Sequence, residues 1–316
     1  ERASLERDVE RINQYLSTEL NRSANGLAIF ASSGTGEFFE AIQLQAPIDD
    51  HWLFVGEVPH IYPLVRLIDQ YPRYAAVLLD TNSARIVVFS LGAIEKSMHV
   101  TGVKTRRHSM GGSSQGRYQR HIENFHLHHV KEVIETLDRV VRTDNIQKII
   151  VAGADVDVPM VKEAMPAHLI DKLVDVMKFG RQAADDEIAD ATLEVLRRKD
   201  AETDRERVDE AIDAWRSGGL GVMGPESTLR ALQLGQAEEV LTAANPQTLK
   251  PVHTMPDDAS AEPLATSPGN ADQRQLHLSD ELVTRAKQTG ARIRFIEDAE
   301  LLRAYGGVGA ALRFRV

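Results

Sequence analysis

The sequence predicts a mixed α/β fold (α+β in character) divided into three small domains. Three observations predict it. The length of 316 residues supplies two or three domains at roughly 100–200 residues each. Short apolar runs of strand length alternate with amphipathic stretches of helical period. Hydrophobic residues at 42% and charged residues at 27% are ordinary globular proportions, which exclude wholesale disorder and collagen-like repeats.

In the first domain, residues 1–72, Leu5, Val9, Ile12 and Leu16 recur at spacings of three and four, the period of a helix with one apolar face. Residues 27–30 and 38–44 are β-rich runs joined by Ser32-Ser33-Gly34-Thr35-Gly36, a hairpin connection. Residues 52–55 read as another strand. Residues 63–70, with Leu64, Leu67 and Ile68, read as a helix that Tyr71-Pro72 ends. The second domain, 73–180, opens with strands at 74–80 and 85–91 around the turn Asp80-Thr81-Asn82-Ser83. Beyond a polar segment, Ile122, Phe125, His129, Val133, Leu137 and Val140 mark a long helix. Residues 148–153 form a buried strand, 159–164 and 168–173 helices, and 174–179 a strand.

The third domain, 181–316, begins with a polar helix at 181–213 that carries 12 acids and six bases, the pattern of a solvated connecting helix. A helix at 226–234 enters through Gly224-Pro225 and is followed by a strand at 238–243. A helix at 279–290, a strand at 292–296, a short helix at 300–305 and a strand at 311–316 complete it. Residues 245–274 contain Pro246, Pro251, Pro256, Pro263 and Pro268 among small polar residues and read as a mobile insertion.

Composition excludes several classes. The formal charge of −10 disfavours nucleic acid as a partner of the whole surface, and DNA is not an expected partner. The absence of cysteine removes thiol nucleophiles, disulfides and thiolate zinc sites, and it suits a cytoplasmic protein. No apolar run approaches the ~20 residues of a membrane span, and residues 1–21 lack the apolar core of a secretory signal.

One segment runs against the average. Residues 104–131 hold six Lys and Arg against one acid. Within it, Lys104-Thr105-Arg106-Arg107-His108-Ser109-Met110-Gly111-Gly112-Ser113-Ser114-Gln115-Gly116-Arg117-Tyr118-Gln119-Arg120 combines glycines, which let backbone approach a ligand closely, with guanidinium forks that suit phosphates. A basic, glycine-rich loop feeding a long helix fits contact with an RNA backbone; the plainer reading is a solvated loop. The same residues contain G-x-S-x-G, with Ser114 at the nucleophile position of a hydrolase elbow. That elbow needs a buried strand running directly into it, and Arg106-Arg107-His108 is a poor buried strand.

His121, His126, His128 and His129 cluster near the start of the long helix, but no carboxylate pair completes a metal site, and no metal or cofactor is expected. His129 falls in the apolar stripe, the position of a satisfied core histidine. Gly306-Gly307-Val308-Gly309 lacks the following helix that a dinucleotide fingerprint requires, and no G-x-x-x-x-G-K-[ST] phosphate loop is present.

The strand hairpin, the basic loop with Gly111-Gly112-Ser113-Ser114-Gln115, the helix starting Arg117-Tyr118-Gln119-Arg120 and the strand Ile149-Ile150-Val151-Ala152-Gly153 resemble the catalytic middle domain of eukaryotic and archaeal peptide-chain release factors. Independently, Gly221-Val222-Met223-Gly224-Pro225-Glu226-Ser227-Thr228-Leu229-Arg230-Ala231-Leu232 and the stretch from Gly306 to Val316 resemble that family's third domain. The chain is thus similar to bacterial members of the release-factor and Pelota-like superfamily over residues 74–316. The resemblance implies a variant N-terminal α/β domain followed by release-factor-like middle and C-terminal domains.

In that family a Gly-Gly-Gln tip enters the peptidyl-transferase centre and helps water attack the peptidyl-tRNA ester. Carried over, Gly111 and Gly112 match the glycine pair and Gln115 the glutamine. Lys104, Arg106, Arg107, Ser113, Ser114, Arg117 and Arg120 would contact RNA. Here Ser113-Ser114 lengthens the tip by two residues, as in relatives that free stalled chains by hydrolysis or by cutting the tRNA end. The first domain lacks the family's Asn-Ile-Lys-Ser and cysteine-containing stop-codon motifs, so the resemblance implies codon-independent ribosome rescue. A non-catalytic hibernation or stress factor is the alternative. The implied partners are the ribosome, with its rRNA and peptidyl-tRNA, and a translational GTPase meeting the C-terminal domain.

Overall fold

The computed structural model describes residues 2–34, 36–48, 51–80, 83–101, 115–153, 157–178, 184–250 and 273–315. In chain order the elements are α1 (Arg2–Thr18), β1 (Gly26–Ser32), β2 (Phe38–Leu44), α2 (Tyr62–Gln70), β3 (Tyr74–Asp80), β4 (Ser83–Ser90), β5 (Ala93–Thr101), α3 (Gln115–Thr143), β6 (Lys148–Ala152), α4 (Asp157–Ala164), α5 (Ala167–Ile170), β7 (Leu173–Met177), α6 (Asp185–Arg216), β8 (Gly221–Met223), α7 (Pro225–Gln233), β9 (Ala237–Ala243), α8 (Gln273–Thr289), β10 (Arg292–Ile296), α9 (Glu300–Arg303) and β11 (Val308–Leu312). The architecture is mixed α/β, as the alternating pattern predicts. The chain divides into two compact units, Tyr71–Lys199 on the one hand and Glu1–Gln70 with Asp200–Val316 on the other.

The unit Tyr71–Lys199 is built on a five-stranded sheet of order β5-β4-β3-β6-β7. The β3-β4-β5 meander is antiparallel, whereas β3, β6 and β7 run parallel. Successive side chains of β3 point to opposite faces. Ala75 and Val77 enter a core with Val133, Leu137 and Val140 of α3 and Val161 of α4. Tyr74 and Ala76 enter a second core with Ile188, Val195 and Leu196 of α6. Helices cover both faces, which is why β6 reads Lys-Ile-Ile-Val-Ala with no polar alternation. The Tyr74 hydroxyl meets Thr192 Oγ1 at 2.7 Å, and burial pushes that phenol up to about 12.

The other unit contains a four-stranded sheet of order β10-β9-β11-β8. Leu229 and Leu232 of α7 and Leu278 and Leu282 of α8 pack on one face, against Val240, Val308 and Ala310. Val208, Ala211 and Ile212 of α6 and Leu302 of α9 pack on the other, against Met223, Leu241 and Ile296. Helix α2 is fastened here through Tyr62, whose ring lies edge-on to Phe295 at 5.0 Å and whose hydroxyl donates to the Ala243 carbonyl. Asp280 of α8 caps α2 from far away in sequence, accepting the Ile61 and Tyr62 N–H groups at 2.9 and 3.0 Å. Strands β1 and β2 form a separate antiparallel ribbon against which α1 lies.

Several sequence expectations need correction. Residues 52–55 form no strand; Trp52 and Phe54 lean on the His60 ring at 6.0 and 5.4 Å, so their apolar surface is used in ring packing, not in a ladder. The helix expected at 168–173 stops at Ile170, and β7 already begins at Leu173. Helix α8 begins at Gln273, six residues before the expected start. The final strand is Val308–Leu312 and not 311–316, because Gly309 and Ala310 already pair with both β8 and β9. Gly309 makes that approach possible: its missing Cβ would lie 2.6 Å from Met223 Sδ and 3.0 Å from the Val222 carbonyl oxygen, both of β8.

Strand β5 was not anticipated. Met98 and Val100 face the α3 core, but Ile94 lies in the opposite one, since a bulge at Val88/Phe89 shifts the register. That shift breaks the period of two on which strands are read. Of the insertion 245–274, the described part holds a 3-10 turn at Pro246–Thr248 that Asn245 caps; residues 251–272 lie outside the described residues.

Candidate functional site

The candidate loop is carried by two stems. Strand β5 delivers the chain to Thr101 at the edge of the five-stranded sheet, and α3 begins at Gln115. Lys104, Arg106, Arg107, Gly111, Gly112, Ser113 and Ser114 lie outside the described residues. Gln115, Arg117 and Arg120 occupy the first, third and sixth positions of α3; its side chains are described from His128 onward.

The second stem is long. Helix α3 has 29 residues, about 43 Å at 1.5 Å per residue. Its described core contacts run from Val130 to Val141, where Val130, Val133, Ile134, Leu137, Val140 and Val141 sit on the sheet. Asn145, at φ +51°, terminates it in a left-handed turn, with the Ile146 N–H donating to the Val141 carbonyl at 3.0 Å.

The two stems are tied together at that end. Asp144, 8% exposed, accepts from Lys96 Nζ of β5 and lies 3.7 Å from Arg73 Nη2, which in turn donates to Glu95 of β5 at 2.6 Å. Two cations around one sunken carboxylate leave no uncompensated buried charge. Sequence reasoning missed this tie because its partners come from β5, the unanticipated strand.

The histidines separate into different environments. His128 is exposed, with Nδ1 3.6 Å from Glu132. His129 is buried, as its place in the apolar stripe predicts, yet neither ring nitrogen has a hydrogen-bond partner among the described residues, unlike the satisfied core histidine expected. His121 and His126 fall where side chains are not described. Among the described residues no group of three or more His, Cys, Asp or Glu side chains is disposed to hold a metal ion. No described helix is long and apolar enough to cross a membrane. Ser114 directly precedes α3, and the last described strand residue before it is Thr101, thirteen residues earlier.

Residues 59–197 match the profile of bacterial archaeo-eukaryotic release factor family 10, a span that encloses β5, the loop and α3. The chain is 21% identical to peptide chain release factor subunit 1 of Methanobrevibacter smithii, covering 100% of this chain and 85% of the relative. It is 22% identical to the corresponding protein of Pyrococcus abyssi, covering 98% and 84%. Among solved structures, archaeal Pelota in a model of ribosome-bound Pelota and ABCE1 superposes with a TM-score of 0.50 at 16% identity, over 98% of this chain and 95% of that one. The bacterial release-factor profile over residues 59–197, the archaeal release factors along nearly the whole chain and the Pelota fold point the same way: the chain is similar to bacterial members of the release-factor and Pelota-like superfamily.

Proposed function

We propose that this protein is a ribosome-associated, release-factor-like protein that enters the A site and promotes codon-independent hydrolysis of peptidyl-tRNA. The observation that carries the reading is positional. The Gly111-Gly112-Ser113-Ser114-Gln115 string lies between β5 and α3, inside the stretch that matches the release-factor profile. Gly111 and Gly112 allow an unobstructed backbone to enter a crowded RNA cavity. Gln115 orients the attacking water through its amide, without acting as a strong base. The water oxygen bonds to the ester carbonyl carbon, the bond to the tRNA 3′ oxygen breaks, and the proton ends on that leaving hydroxyl. Positioning and polar stabilisation of the oxyanion suffice for an activated ester. Lys104, Arg106, Arg107, Arg117 and Arg120 hold phosphates, with Ser113 and Ser114 at the RNA-facing tip.

The functional division proposed is an N-terminal domain at 1–72, a catalytic domain at 73–180 and a C-terminal domain at 181–316 that meets a translational GTPase in the cytoplasm. A second reading keeps the docking without the chemistry, as in hibernation factors, and the two-residue extension before Gln115 favours it over ordinary termination. Release of labelled peptide from ribosomes with stop, sense or empty A sites tests the reading. Comparable release from all three is expected. Release confined to stop codons contradicts codon independence, and binding without release selects the non-catalytic reading. Loss of a ribosome-free esterase activity in Ser114→Ala would instead select a serine hydrolase.

A further inference from the structure

Helix α1 leaves three of its four stripe residues exposed, with Ile12 half-buried. The side chains of Ser4, Asp8, Arg11 and Tyr15 meet the β1-β2 ribbon or its connection. Asp8 accepts the Ser33 N–H at 2.8 Å, Arg11 lies 4.6 Å over the Phe39 ring, and Tyr15 lies 5.7 Å from the same ring. At 100° per residue that face is centred about 100° from the line through Leu5, Val9, Ile12 and Leu16. Leu5, Val9 and Leu16 accordingly remain 36%, 48% and 42% exposed. The spacing of four, three and four is that of an a/d seam, the pattern by which one helix packs along another.

Seam positions on either side of the four apolar residues carry opposite charges. The same spacing reaches Arg2 in one direction and Glu19 in the other, whose N–H donates to the Tyr15 carbonyl at 2.9 Å. Arg2 also lies 3.3 Å from Glu6 in an exposed pair along α1. The Arg2 and Glu19 charges are complementary to a second helix of the same sequence running the other way. In antiparallel pairing Leu5 faces Leu16, Val9 faces Ile12 and Arg2 faces Glu19 of the second copy, giving four apolar layers bracketed by two opposite-charge pairs. In parallel pairing Arg2 would meet Arg2, and Glu19 would meet Glu19.

We propose that the exposed stripe of α1 is a self-association surface, and that its occupant is α1 of a second copy in antiparallel orientation. One short seam is smaller than the ~1,200 Å² of a stable interface, so the dimer is reversible, with a Kd above about 10 μM. Because the ribbon already holds α1, association does not have to order it.

Sedimentation velocity over a concentration series of the full chain tests the proposal. Concentration-dependent dimer is expected, and Val9→Glu weakens it at least about tenfold. Arg2→Glu places like charges at both ends and weakens it about tenfold, while Arg2→Glu with Glu19→Arg restores it to within about twofold. Arg2→Glu also loses the Arg2–Glu6 pair, so far-UV circular dichroism of each variant is read alongside, and a spectrum matching the parent assigns the change to association. The chain has no cysteine, so orientation is read directly: Leu5→Cys mixed with Leu16→Cys cross-links under oxidation, and Leu5→Cys alone does not. A monomer throughout, a dimer indifferent to Val9→Glu and the charge swap, or cross-linking of Leu5→Cys alone each overturns the proposal.

Discussion

Single residues in the unit Tyr71–Lys199 hold opposite kinds of information. His129 was legible as part of an apolar stripe from its spacing with Phe125 and Val133; its unpartnered ring nitrogens were not, because partners are set by tertiary neighbours. A buried donor without an acceptor costs about 1–3 kcal/mol. We therefore expect His129→Leu to stabilise the protein by about 1 kcal/mol in urea unfolding, with no loss of ribosome binding. Asp138 is a contrasting case. The hydrogen bond from His168 Nε2 at 2.6 Å, with Arg142 beside it at 2.9 Å, holds its carboxyl below the usual range. A depressed folded-state pKa contributes stability that is present above about pH 4 and lost as the pH falls through the folded value. An NMR titration should place Asp138 below exposed carboxylates, and His168→Gln should move it back up.

At the scale of elements, periodicity succeeded where one face is buried and failed where geometry breaks it. The stripe of α3 from His129 through Val133 and Leu137 to Val140 and the alternate faces of β3 follow directly from side-chain period, and the structure keeps both; Ile122 and Phe125 lie where side chains are not described. Strand β5 escaped because its bulge turns Ile94 to the face opposite Met98, and 52–55 misled because its aromatic rings pack on His60. The β4–β5 connection did carry a signal in Leu91-Gly92, a two-residue turn with φ of +48° and +77° between the paired Ser90 and Ala93. Gly92→Ala should cost about 1 kcal/mol in thermal or urea unfolding, since alanine is strained where φ is positive. The Lys96–Asp144 tie that joins β5 to the end of α3 was beyond reach once β5 was unseen.

Across the whole molecule, a net charge of −10 hides a division between the acidic run of α6 and the basic segment that precedes and begins α3. Under the proposed function, an acidic body would limit indiscriminate RNA binding while leaving one basic loop to find an RNA-lined cavity. The resemblance was carried by short strings at the loop and near the C-terminus, and the comparisons extend it along the chain at low identity. Its central claim, that Gln115 at the head of α3 acts on the peptidyl ester, is tested most directly by single-turnover release of labelled peptide from stalled ribosomes, with cosedimentation measured in parallel. Gln115→Ala should bind ribosomes as the parent does and release peptide at least about a hundredfold more slowly; undiminished release by that variant would contradict the account.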